Sequence, residues 1–541
     1  MRKRFFSGLI LALLVVLMSC GACFADLLSA LPEPAGENPY SKIAVRFTDA
    51  SKLIEGLYPS NFIEAIAPLA ARSEIEDFIK FSNVIKALSE SNLREFASLL
   101  VLDEDLDFYN GGVIMSVPGG RKRLDDAAAS GKLTLFDLVS SLGEPVLEAW
   151  KAVDDSFEDF EFERSSDGVF FYKNNYVYIQ GDKIIVFATK ESTLSAAEAV
   201  NSVETAARLN HPNVLLVSVP KEMAETTEDI KAEIGFAYED STCRIKILSN
   251  VFRLMPGGIN VSGEELENAL RVIETVPMVG KGDPFFTSGG NTFLEGLDEI
   301  EERLMEAGDM EITLGWAAFL QAVQQIGISK ENLGNLLAGS MAMVFGLDSE
   351  FLGIPLPLGG YLAITGKEGA AANVIGVVSE VLAQTGIATE SKVDGWDKVY
   401  SVTFDPGMPK AVIAQRGESI LAGIMNPEDL KTDLDINQVG VPSEKMLGWL
   451  VLDTEKIWKA ARNAYTPISA MIMSGMFGSV SDEEREAVRF AGELLKTEFP
   501  QKTFKSWMAS AEELDLHILM NPSHKGDFWK TLFELVVKLM E

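Results

Sequence analysis

Cysteine and histidine are scarce in this 541-residue chain, with three of each. The histidines are His211, His517 and His524; no two are spaced i, i+4 and none has a cysteine nearby, so no zinc signature can be assembled. No G-x-S-x-G elbow presents a serine nucleophile. Beyond the first 25 residues no run reaches the roughly 18 uncharged apolar residues that a membrane-crossing helix needs. Basic residues are outnumbered: 47 Lys and Arg face 80 Asp and Glu, a formal charge of −33. That balance repels nucleic acid and anionic membrane surfaces, because Lys and Arg drive both associations. It reads as a solvated acidic surface rather than a cation site.

What is present starts at the N-terminus. Arg2, Lys3 and Arg4 precede an apolar stretch from Gly8 to Met18, too short to span a bilayer, followed by small residues and Asp26. This pattern predicts an export signal over residues 1–25 and a linker over 26–40, hence an envelope location, most simply the bacterial periplasm. Two cleavage readings compete. Leu17-Met18-Ser19-Cys20 has the form of a lipobox, which would lipidate Cys20 and anchor the chain to a membrane. Cys23-Phe24-Ala25 offers small residues before a cut after Ala25 and a free periplasmic product. The apolar "GACFADLL" after Cys20 is a poor lipoprotein tether, which favours the second reading. That cut removes three positive charges, taking −33 to −36, and leaves Cys243 alone, so no intramolecular disulfide contributes to stability. Cys243, within "STCRIKIL", reads as a small core residue.

A chain this long needs two or more cores. The sequence divides itself. "VYIQGDKIIVFATKESTLSAA" and "AVIAQRGESILAGIMNPEDLKT" both read strand, tight turn, strand, helix, with Gly181 and Leu194 matching Gly417 and Leu430 at one offset of 236. "NVLLVSVPKEMAE" resembles "MLGWLVLDTEKIWKAA", a strand turning straight into a helix. "GGVIMSV" with "EPVLEAWKAV" matches "GGYLAIT" with "AAANVIGVVSEVLAQTG". About six elements recur in the same order, which predicts an internal duplication. The expected fold is α+β: two halves, 41–275 and 285–541, each a mostly antiparallel sheet with helices packed on one face. Gly and Pro cluster in a linker at 276–284, and the second half carries a Met-rich apolar insertion. The repeated element "GDKIIVFATKESTLSAA" / "GESILAGIMNPEDLKT" resembles exported bacterial proteins grouped only as a domain of unknown function. That resemblance implies no reaction and no catalytic residue.

Several short matches to chemical motifs fail on inspection. Ser218-Val219-Pro220-Lys221 fits S-x-x-K, but its K-T-G partner is missing, since Lys431-Thr432 continues with Asp433. "TGKEG" at 365–369 has the wrong glycine spacing for a phosphate loop and Glu368 in place of Ser or Thr. Asp103, Asp105 and Asp107 alternate as in a calcium loop, but Phe108 and Ile114 occupy the glycine and final glutamate positions. No catalytic, cofactor or metal residue is assigned.

Three stretches of the second half are unusually apolar: "GSMAMVFGL", "FLGIPLPLGG" and "SAMIMSGMFGSV". Met341, Met343, Met471, Met473 and Met476 form a methionine-rich set, suited to packing against varied shapes. They are either core filler or a surface for an apolar ligand or a partner. The sequence therefore points to a non-enzymatic envelope scaffold or binding module. Its alternatives are a carrier of a lipid-like ligand and a hydrolase with dispersed residues.

Overall fold

The computed structural model describes residues 40–532, apart from 48–82, 104–107, 154–159, 200–212, 252–274, 293–296, 298–309, 352–353, 404–408, 442–445, 475–480, 522–527 and the single positions 85, 89, 174, 225 and 529. The chain splits into two compact units: Met1–Val251 with Met520–Glu541, and Phe252–Leu519. Each is α+β with antiparallel strand pairing.

The first unit has strands β1 (Ser41–Phe47), β2 (Glu95–Leu102), β3 (Phe108–Ser116), β4 (Leu133–Thr134), β5 (Glu161–Arg164), β6 (Phe170–Tyr172), β7 (Asn175–Gln180), β8 (Lys183–Phe187), β9 (Asn213–Val219), β10 (Ile230–Glu239) and β11 (Thr242–Ser249). Their spatial order is β4-β5-β6-β7-β8-β3-β2-β1-β9-β10-β11, every neighbour antiparallel. Helices α1 (Arg121–Ser130), α2 (Leu135–Ser141) and α3 (Glu144–Val153) follow β3. Thr134 and Asp137 form a capping box that starts α2, each side chain accepting from the other's backbone N–H. Helix α4 (Lys190–Ala199) follows β8, and the short α5 (Lys221–Ala224) follows β9.

Alternation along the strands separates two cores. Phe96, Val113 and Ile184 on one face pack with Leu124 of α1, Leu138 of α2 and Trp150 of α3. Ala97, Leu99, Ile114 and Ile185, on the opposite face, pack with Ala196 and Ala197 of α4. Helices thus lie on both faces of this sheet, a correction to the one-sided expectation. The β8 segment reads Ile184-Ile185-Val186-Phe187, apolar at every position, and a strand apolar on both sides is covered on both sides.

The second unit has β12 (Gly282–Asn291), β13 (Ser340–Phe351), β14 (Ile354–Thr365), β15 (Ala388–Ser391), β16 (Lys398–Val402), β17 (Ala411–Arg416), β18 (Ser419–Ile424), β19 (Gly448–Asp453), β20 (Gln501–Ser510) and β21 (Glu513–Met520). The order β15-β16-β17-β18-β14-β13-β12-β19-β20 is antiparallel throughout. Its helices are α6 (Met310–Gln325), α7 (Lys330–Leu337), α8 (Ala370–Thr385), α9 (Ile436–Val439), α10 (Thr454–Met473) and α11 (Asp482–Leu494). Where "NPEDLKT" was expected to open a helix, the chain makes a single 3-10 segment, Pro427–Lys431.

One face of this sheet (Ala342, Val344, Tyr361, Ala363, Leu421, Trp449) packs with Val276, Val279, Leu430 and Val441. The other carries helices: Leu333 and Leu336 of α7 and Val374 of α8 close over Ile364 and Ile420. The stretches "GSMAMVFGL" and "FLGIPLPLGG" contribute the long β13–β14 hairpin, so they are integral strands of the sheet.

Candidate functional site: an uncovered apolar sheet face

The helix-bearing face of the second unit is only partly covered. Directly opposed residues in antiparallel strands share a face, so the pairings define rows across β19, β12, β13, β14 and β18. One row runs Gly448, Gly290, Met341, Ile364, Ile420; the next Leu450, Ser288, Met343, Leu362, Ala422; the third Leu452, Phe286, Phe345, Gly360, Ile424. Ile364 and Ile420 of the first row join the α7–α8 core. Beyond that row the cover thins over β13, β14 and β18, where Leu362 is 37% exposed, Phe345 42%, Ile424 43%, and Leu358, two residues before Gly360, 54%. Phe286, Ser288, Met343, Leu450 and Leu452 of the same rows are half-buried, and α10 contacts β12 and β14. The rings of Phe286 and Phe345 lie 5.8 Å apart, so neighbouring strands contribute to one continuous apolar surface.

A β-bulge shapes the edge of this surface. The β13–β14 register shifts between Phe345 and Leu347, and Gly346 between them has φ +97°, open to glycine at little cost. The extra residue lets Phe345 face outward while Leu347, two positions on, is buried in the opposite core. Among the described residues, every large hydrophobic side chain with more than a third of its surface exposed belongs to the second unit. Exposed apolar side chains scattered singly need no explanation, but adjacent ones on one sheet face do.

The methionine set is divided by the structure. Met341 and Met343 are half-buried on β13, on the face just described. Met471 and Met473 lie in the last turn of α10, Met473 with 53% of its surface exposed. There Met473, Tyr465 and Ser469 line a groove of about 540 Å³ against Arg485, Val488 and Arg489 of α11. Tyr465 O–H donates to Val488 O at 2.9 Å, and Arg462 and Trp458 donate to Leu495 O and Thr497 O at 2.6 and 2.8 Å, tying α10 to the far end of α11. Met476 and Cys20 lie outside the described residues, as do His211, His524, Asp105 and Asp107.

The near-motifs take structural positions. Ser218 sits in β9, paired with Lys42, while Lys221 opens α5 beyond Pro220; the two are not one helical turn apart on a helix, as the acylating pair requires. In 365–369 the loop amides are already occupied: Gly366 N–H donates to Glu418 O, and Gly369 N–H to the Glu418 carboxylate at 2.9 Å, where a phosphate oxygen would compete with a fixed anion. Half-buried His517 stands edge-on to Trp507 at 4.7 Å in β21. Among the described residues no three His, Cys, Asp or Glu side chains group closely enough to hold a metal ion, and no helix is long and apolar enough to cross a membrane.

Sequence reasoning found the Met-rich strand but missed Phe345, Leu362 and Ile424 as its neighbours. The signal that would have found them is the register of β13 with β14 and β18, which no local pattern carries. No family model matches the chain, and no curated protein or solved structure is significantly similar to it.

Proposed function

We propose that this is an exported, non-enzymatic binding module or scaffold of the bacterial envelope. In this reading two copies of one α+β unit have diverged: the first is closed on itself and the second holds the contact surface. The duplication is supported by strand order. Read from β5 and from β15, nine strands correspond one to one: β5-β6-β7-β8-β3-β2-β1-β9-β10 and β15-β16-β17-β18-β14-β13-β12-β19-β20. Details recur as well. Both central hairpins turn on a left-handed glycine, Gly181 at φ +64° and Gly417 at +57°. The residue after each third strand, Val117 or Gly366, donates to the carbonyl of Asp182 or Glu418 beside that turn, at 2.8 and 3.0 Å.

The observation that carries the binding role is the uncovered surface of Phe345, Leu362 and Ile424. Fully burying an exposed Leu, Ile or Phe side chain is worth about 1.5–3 kcal/mol, and the exposed two-fifths of each of these three leaves the corresponding part of that gain unrealised in the isolated chain. An open sheet face suits a macromolecular partner better than a small ligand, which needs a concave site. The test is a photo-crosslinking amino acid placed at position 362 or 424 in the protein in its own envelope. Adducts from both, with none from Lys173 in the first unit, support the reading. Equal labelling from all three sites rejects it.

A further inference from the structure

The structure assigns this face one occupant: an amphipathic α-helix with basic flanks, carried by a partner protein. The inference rests on the binding-module reading above and names the partner's chemistry. Its first support is the counterpart face within the same chain. Ser116 pairs with Lys183 beside the Gly181 turn, as Thr365 pairs with Ser419 beside the Gly417 turn, which sets the correspondence of the two sheets. Counting back from these pairs, Val113 corresponds to Leu362 and Ile184 to Ile420. In the first unit this face is roofed by amphipathic helices of the chain itself: Leu124, Leu138 and Trp150 of α1, α2 and α3 pack with Val113, which is 7% exposed, against 37% for Leu362. A face of this geometry is therefore known, in this molecule, to take helices.

The second support is size. The two uncovered rows lie two residues apart along the strands, about 7 Å, and the side chains on either side widen this to the roughly 10 Å of one helix. The exposed positions of these rows lie on β13, β14 and β18, and half-buried Phe286, Ser288, Leu450 and Leu452 continue them over β12 and β19. At about 4.8 Å spacing the five strands span roughly 19 Å, the length of about 13 helical residues at 1.5 Å each. The third support is charge. With a net charge of −33 the protein attracts a cationic partner over long range and repels an anionic membrane surface, so the polar flanks of the docking helix are Lys- or Arg-rich.

The test uses the full chain and two labelled 14-residue amphipathic helices, one of Leu and Lys and one of Leu and Glu, followed by fluorescence anisotropy. The expected result is binding of the Leu/Lys helix, weakened at least tenfold by Leu362→Asp and by Ile424→Asp and unchanged by Leu314→Asp on α6. Both face substitutions add negative charge, so simple charge attraction would strengthen binding; unchanged or tighter binding by these variants overturns the proposal. Tighter binding of the Leu/Glu helix overturns it too. So does a peptide-free dimer that Leu362→Asp dissolves in sedimentation, which would make the occupant a second copy. An apolar dye on the same proteins separates the two levels. Dye binding lost in Leu362→Asp, with no helix binding, rejects the helix and keeps the face; no dye binding at this face rejects both. Circular dichroism melts of each variant show that the fold is retained.

Discussion

Phe345 lies across Gly360. A Cβ built on Gly360 comes within 2.5 Å of both Phe345 Cδ1 and Val344 O, so glycine is what allows the ring to lie down on the neighbouring strand. Gly360→Ala should therefore force a shift in packed structure and cost about 1–3 kcal/mol. For a unit of this size that is a fall in melting temperature of several degrees by calorimetry. Phe345→Ala in the same chain should restore part of the loss by removing the ring and leaving only the backbone contacts with Val344 O and Phe345 Cα. A Gly360→Ala protein with an unchanged melting temperature would show that the sheet gives way freely here, and the Phe345 surface would then be softer than its geometry implies.

How much of this was legible in the sequence follows from what each signal measures. The Gly181 and Gly417 hairpins were legible because turn glycine and flanking apolar strands are local. The capped turn after Thr134 follows from local chemistry of the same kind. The uncovered face was not legible. In "SMAMVFGL" both parities are apolar, so alternation could not say that Ala342 and Val344 are buried while Phe345 faces out. Nor does any local pattern set the pairing of β14 with β18, more than fifty residues later. The two helices after β9 and β19 differ for a similar reason. Segment 454–473 runs for 20 residues, and its Trp458 and Arg462 find partners at 495–497, contacts more than thirty residues away that no local pattern marks.

Tyr361 is an interior anchor of the second unit. It is 2% exposed, its hydroxyl accepts from Val279 N–H at 2.8 Å and donates to Pro277 O at 3.4 Å. Tyr361→Phe leaves the Val279 N–H buried without its partner and should cost about 1–3 kcal/mol in denaturant unfolding. Burial also holds the phenol's pKa well above its ordinary value, against the opposing bond from Val279. A group raised in the folded state stabilises fully below its unfolded pKa, here about 10, and loses that contribution as pH climbs further. Stability should thus fall above pH 10 in the wild type and fall less steeply in Tyr361→Phe. Parallel alkaline profiles for the two proteins would rule out Tyr361 as the group responsible.

The first unit has an acid-sensitive contact. Lys190 at the start of α4 meets Asp167 of the β5–β6 turn at 2.5 Å, and Ser165 adds a hydroxyl bond to the same carboxylate. The Lys190 bond, followed by that of Ser165, holds Asp167 down at about 2. A depressed carboxylate contributes above its unfolded value near 4 and loses the contribution as pH falls from there through about 2. The pair is more than a third exposed, so salt screens it and the effect is small. Asp167→Asn should flatten the stability profile between pH 4 and 2, most visibly at low ionic strength. A carboxyl resonance of Asp167 titrating near 4 by NMR would refute the paired state.

The last prediction joins the N-terminus to the interior. Cys243 is 3% exposed on β11, and burial raises its thiol pKa, so in the native state it is both shielded and protonated. The mature protein, in the proposed cut after Ala25, carries this thiol and no other, because Cys20 and Cys23 leave with the signal. Intact mass of protein from its own envelope should match Asp26–Glu541, and a thiol reagent should then add one equivalent, at a rate set by unfolding. In increasing denaturant the labelling rate should follow the unfolding transition of the first unit. A lipid-sized excess on a chain beginning at Cys20 would instead place the protein on a membrane surface and leave Cys23 as a second thiol. A Cys23 thiol three residues from the lipidated end and reactive without denaturant would add a fast labelling phase, so the labelling kinetics separate the two N-termini.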